Sequence, residues 1–150
     1  MAYNNNGYGY SAYREIGVKT ASQGKLIVML YQAAVNNLEE AANMIDKDGK
    51  IEACNIERFG SLIQKTEDII TELQMSLNMD MGEIAQSLMS LYVYFNKQLM
   101  IANFKHDKKM LNFICKEMKE LKGSWEIAAN SNANTQTQIP ADRPVVNITG

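Results

Sequence analysis

Acid–base, nucleophilic and metal chemistry in a small protein runs through histidine, cysteine and carboxylate clusters, and this chain offers few arrangements of them. Its single histidine is His106, inside Lys105-His106-Asp107. A lone histidine in a turn reads as a solvated or capping residue. A di-iron carboxylate bundle needs Glu-x-x-His motifs on two facing helices, which one histidine does not supply. Cys54 and Cys115 lie far apart with no CxxC or Cys/His cluster, so a zinc site has no ligand set; both read as reduced core residues. Glu15, Glu39, Glu40, Glu67, Asp68 and Glu72 fall on polar helix positions and read as a solvated face. Gly7-Tyr8-Gly9 lacks the strand and helix of a phosphate-binding loop. The run Lys105-His106-Asp107-Lys108-Lys109 contains an acid and no interleaved aromatics, and the net charge is −2. That balance gives no general attraction to nucleic acid. The inventory therefore predicts no catalytic residue, no metal, no cofactor and no nucleic-acid partner: the protein is not expected to be an enzyme.

The elements that must carry any function are helical. Apolar residues repeat at three and four. A first helix starts after Ser22, an N-cap type, with Leu26, Leu30, Ala33, Ala41 and Ile45 on one stripe and Ile27, Tyr31, Val35, Leu38 and Ala42 on a second. It is expected to stop near Asp46–Gly49. A second runs from about Lys50 to Leu77, and a third from near Asp80 to about Phe104 on Ile84, Leu88, Leu91, Tyr92, Phe95, Leu99 and Ala102. A fourth follows His106 or Asp107 on Leu111, Ile114, Met118, Leu121, Trp125 and Ala128. Connections of about three to six residues between long helices force antiparallel neighbours. The predicted fold is all-α, an antiparallel up-down four-helix bundle over residues 13–129. Residues 1–12 read as a flexible N-terminal segment. Residues 130–150 contain both prolines, are too polar to offset their ordering entropy, and read as a disordered tail. The start has no basic and apolar leader pattern, and no stretch approaches a membrane span of roughly 20 apolar residues. A soluble, cytoplasmic protein without membrane insertion is expected.

One feature exceeds what a bundle needs. A bundle helix requires an apolar face about 100° wide. The third helix adds Met89, Val93, Met100 and Phe104 to its main stripe, and between Ile84 and Phe104 its charged residues reduce to Lys97. The surplus fits a crowded central helix, a homodimer face, or a groove for an amphipathic partner helix. The ten methionines suit a surface that repacks around a partner.

The segment from Tyr10 to Leu38 resembles the start of the flagellin export chaperones, the FliS family. The residues that carry the likeness are Tyr13, Val18-Lys19-Thr20-Ala21-Ser22, Gln23-Gly24-Lys25-Leu26 and Met29-Leu30-Tyr31. Further blocks are similar: Ile69-Ile70-Thr71-Glu72-Leu73 with Ser76-Leu77-Asn78; Leu91-Tyr92-Val93-Tyr94-Phe95 to Leu99, Ala102-Asn103 and Asp107; and Leu121 to Trp125. The chain departs from the family pattern at Gln23, usually proline, and at Val93, Gln98 and Ile101, often charged. These departures leave the third helix less polar than the family norm.

The resemblance implies a cytoplasmic export chaperone. It would bind the C-terminal amphipathic segment of flagellin in a hydrophobic groove, prevent premature polymerisation, and deliver the subunit to the flagellar type III export apparatus. The groove expected on the second and third helices uses Ile63, Ile70, Leu77, Leu88, Leu91, Tyr92, Phe95 and Leu99. Tyr92 is the preferred contact, its hydroxyl satisfied at a groove rim. Tyr10, Tyr13, Ile16 and Val18 match the family's N-terminal segment, which packs over that surface. The free protein is expected to be a monomer or weak dimer. The alternative is a homo-oligomeric structural or regulatory bundle without a client.

Overall fold

The structure, a computed structural model, describes residues 23–138, with side chains through residue 131 except that of Met81. Four long helices follow one another: α1 Gln23–Asn43, α2 Ile56–Ser76, α3 Glu83–Lys105 and α4 Lys108–Gln138. The contacts run in a ring. α1 packs on α2 and α4, and α3 packs on α2 and, less extensively, on α4. This is the four-helix bundle that the apolar periods predict, and no strand occurs among the described residues.

The ends of the helices follow local chemistry. α1 stops at Asn43, where the chain turns through Asp46. The Asp46 carboxylate accepts the backbone N–H groups of Asp48 and Lys50 at 2.8 and 2.9 Å, and Gly49 supplies the positive φ of 77°. An isolated antiparallel bridge between Ile45 and Ile51 closes this loop. Residues 44–55 make a longer connection than expected. The predicted start of the second helix near Lys50 is taken up by the loop and a 3-10 turn, Ala53–Asn55. Before α3, a 3-10 turn at Met79–Met81 leads into Gly82, whose φ 77° and ψ −136° only glycine adopts without strain.

The α3–α4 turn is the tightest. His106 caps α3 in the left-handed conformation, φ 53° and ψ 50°, and its ring stands edge-on to Phe59 with centroids 5.4 Å apart. Asp107 caps α4 by accepting the Met110 N–H at 3.1 Å. Lys108 Nζ donates to the Ile45 carbonyl at 3.1 Å, tying this turn to the end of α1. The chain's one histidine therefore acts as a cap.

The core holds Leu30, Tyr31, Leu38, Phe59, Ile63, Ile70, Leu73, Tyr92, Phe95, Leu99, Leu111, Ile114 and Met118. Across it Tyr31 of α1 and Tyr92 of α3 share a hydrogen bond between their hydroxyls. Each buried hydroxyl finds a partner on another helix, which satisfies it and fixes helix rotation. Burial is the main cause that raises both tyrosine pKa values.

Three details differ from the sequence expectation. α4 continues through Gln138 into the segment read as tail, and Ala129 rather than Ala128 is buried near its bundle end. Of the cysteines, Cys115 is buried but Cys54 is exposed, because it sits in the 3-10 turn outside the helix stripes. Glu72 is not on a solvated face: it is 5% exposed.

Candidate functional site

α3 turns Ala85, Tyr92, Phe95, Leu99 and Ala102 into the core. Its other faces stay apolar. Ile84 is 72% exposed, Val93 52%, Met100 63% and Phe104 88%, and Tyr94 is also exposed. Val93, Met100 and Phe104 recur at seven and four, forming one outward stripe along the helix. Lys97 falls between them. Ile84, Leu88 and Leu91 form a second edge, where with Glu83 and Ser87 they line a shallow open depression.

The two stripes flank the helix because of how α3 is seated. On its α2 side, Asn96 Nδ2 donates to the Glu67 carbonyl at 3.4 Å and to Thr71 Oγ1 at 3.3 Å, and Gln74 Nε2 reaches Met89 Sδ at 3.6 Å. This polar seam holds α3 to α2 without covering Val93, Met100 or Phe104. The α4 side is held by the lesser contact and leaves Leu88 and Leu91 half-buried. The result is one outward apolar stripe, with Lys97 beside it, and a separate apolar edge on the opposite side of the helix beside Glu83. Isolated apolar side chains on a surface are ordinary; a contiguous run over one helix marks an interaction site.

The eight residues expected in the groove divide. Ile63, Ile70, Tyr92, Phe95 and Leu99 are at most 1% exposed and lie in the core, so a partner laid on the surface does not touch them there. Tyr92 is not at a rim, because Tyr31 supplies its hydroxyl with an interior partner. Leu77, Leu88 and Leu91 are half-buried against the core and border the surface. Tyr10, Tyr13, Ile16 and Val18 lie outside the described residues. Of the strongly exposed positions, Val93, Met100 and Phe104 were legible as apolar surplus, whereas Ile84 was read as part of the main stripe and Met89, read as surplus, is half-buried; the regular stripe drew the groove assignment inward.

No titratable cluster adds chemistry to this face. Among the described residues no group of three or more histidines, cysteines and carboxylates could hold a metal ion, and no helix is long and apolar enough to cross a membrane. The perturbed carboxyls are on α2. Burial, with Asp68 adding to it, raises Glu67 and pushes Glu72 up to about 7.

A bundle with this connectivity and bare third helix matches a family model, described as flagellar protein FliS, over residues 4–132. The chain belongs to the FliS family. Flagellar secretion chaperone FliS of Bacillus subtilis is 31% identical over 122 residues, covering 81% of this chain and 86% of its own. The Vibrio cholerae FliS protein of the same name is 32% identical, with 77% and 84% covered. That of Escherichia coli is 27% identical, with 79% and 87% covered. The FliS match thus spans all four helices and reaches back into the N-terminal segment.

Proposed function

We propose that this protein is a flagellar secretion chaperone that works in the cytoplasm. Its client is the C-terminal amphipathic segment of flagellin, kept from polymerising and passed to the flagellar export apparatus. The observation that carries this reading is the exposed apolar surface of α3, on which Phe104 is 88% exposed. An amphipathic helix or extended strand laid along α3 covers the outward stripe, with Val93, Met100 and Phe104 as anchors; a client that wraps further round the bundle reaches Ile84, Leu88 and Leu91 on the opposite edge. Binding of this kind buries on the order of 1,500–3,000 Å² and depends weakly on salt, because the anchors are apolar and charges are few: Lys97 beside the stripe, with Glu83 and Lys105 at the ends of α3. Family membership and the names of the relatives support the flagellar role.

The chemistry asked of the chaperone is modest. It shields apolar surface on the client and has to let go again. A shallow, open site suits that, since the client is covered on one side only. The test is capture of full-length flagellin compared with flagellin lacking its C-terminal end. Capture lost on truncation is the expected result. Equal capture of both would overturn the reading, and a stable dimer that captures neither would establish the homo-oligomer in its place.

A further inference from the structure

Gly60 sits inside α2, where glycine weakens a helix relative to alanine because it gives up more backbone freedom on folding. Nothing in the fold asks for it. Its φ is not positive, and a Cβ added to it would meet nothing beyond its own stretch of helix within 4 Å. The missing side chain leaves open space.

Its place in the bundle defines that space. Gly60 precedes Glu67 by seven residues and Thr71 by eleven, so it lies on the face of α2 that is turned to α3. Glu67 meets Asn96, and the Phe59 ring meets that of His106 at 5.4 Å. In this antiparallel pair Gly60 therefore falls level with Phe104, and Gln64, one turn on, level with Met100. Phe104 and Met100 are 88% and 63% exposed, and Ile56, one turn before Gly60, is 45% exposed. Gln64 does not fill the gap. Its Nε2 donates to Asp68 Oδ1 at 3.1 Å, which draws the side chain along α2 away from Gly60. Arg58 is held toward α1 by its ion pair with Glu40. This end of the α2–α3 seam is thus a notch with a glycine floor and apolar walls of Ile56, Met100 and Phe104.

We infer that Gly60 is a specificity-determining residue: its notch seats one bulky aliphatic or aromatic side chain of the amphipathic client, as a knob in a hole framed by the two helices. The inference rests on the reading of α3 as the client surface and extends that surface onto α2. Met100 and Phe104 belong both to the outward stripe and to the notch, so the two are continuous. The walls select an apolar occupant, because a polar or charged one would be desolvated without a partner. Met100 and Val93 are seven residues apart, two helical turns. A client helix with large apolar residues at i and i+7 meets both ends of the stripe at once. Any side chain on residue 60 would occupy the notch itself, and the fold gives up helix stability to keep it open.

The test titrates a synthetic C-terminal flagellin segment into the full-length protein by calorimetry, with Gly60→Ala and Gly60→Leu beside Phe104→Ala. Gly60→Ala is expected to raise the urea midpoint while weakening binding. Gly60→Leu fills the notch and should raise Kd about fivefold or more. In a scan that shortens each large apolar residue of the segment to alanine, one position should weaken binding to the parent and have little effect on Gly60→Leu, which identifies the seated side chain. A smaller rise in Gly60→Leu, with Phe104→Ala still weakening binding, overturns the notch and leaves the α3 reading in place. A Kd unmoved by both variants removes both. A loss in Gly60→Leu that couples to no position of the segment also overturns the inference, because the glycine then admits client backbone and not a side chain. If Gly60→Leu lowers the urea midpoint, Gly60→Ala decides. A Kd about threefold or more weaker at an undiminished midpoint supports the notch, and a smaller change excludes it.

Discussion

Phe104→Ala separates the surface role of α3 from its structural one. Phe104 is 88% exposed in the free protein, so the bundle loses little when its ring is removed. A surface change of this kind moves folding stability by about 0.5 kcal/mol or less. A client covering the ring has more to lose. Fully burying a Phe side chain is worth about 1.5–3 kcal/mol, and scaling by the exposed fraction leaves roughly 1.3–2.6 kcal/mol. At about 1.4 kcal/mol per decade, that is a Kd roughly 10- to 80-fold weaker. The assay is titration calorimetry of a C-terminal flagellin segment into parent and variant, at several temperatures so that the heat-capacity change is also read. Burial of apolar surface makes that change negative, and Phe104→Ala should make it less so. Phe95, nine residues earlier and fully buried, is the control. Phe95→Ala should cost about 3–5 kcal/mol of folding stability in urea. If Phe104→Ala leaves Kd within twofold and Met100→Ala does the same, the outer stripe of α3 is not where the client lies.

Two further outcomes follow from the interior and the loops. Tyr92→Phe removes the hydroxyl that partners Tyr31 and should cost about 1–3 kcal/mol, whereas the Tyr31→Phe, Tyr92→Phe double variant should cost less than the sum of the two single changes; denaturant unfolding of the variants checks this. Asp46 is held below the usual carboxylate range chiefly by the Lys50 N–H, with help from that of Asp48. A depressed folded-state pKa gives stability that is present above about pH 4, the unfolded value, and is lost as pH falls through the folded value. Asp46→Asn should therefore lower the thermal midpoint at neutral pH, with the gap to the parent closing in acid. A gap that persists unchanged to the lowest pH would refute the charge-based account.

The apolar periods by themselves determined four helices and their antiparallel order, because a period of three and four specifies a helix and short linkers leave few ways to connect it. They also determined that α3 carries more apolar side chains than a bundle requires. The start of α4 was readable to within a residue, after His106 or Asp107, since capping is a local bond, and Asp107 is the residue that makes it. What the periods left open was which side of α3 faces inward. Tyr92 is assigned to the core by Tyr31, a partner on another helix 61 residues away, and no local pattern reports such a pairing. The same holds for Glu72, which looks solvated on its own helix and is buried by what packs around it. Val93, Met100 and Phe104 became a surface only when Asn96, Thr71 and Gln74 fixed how α3 rotates against α2. Sequence fixes how much apolar area a helix has; rotation against its neighbours, set by contacts distant in the chain, determines how much of it is left for a partner.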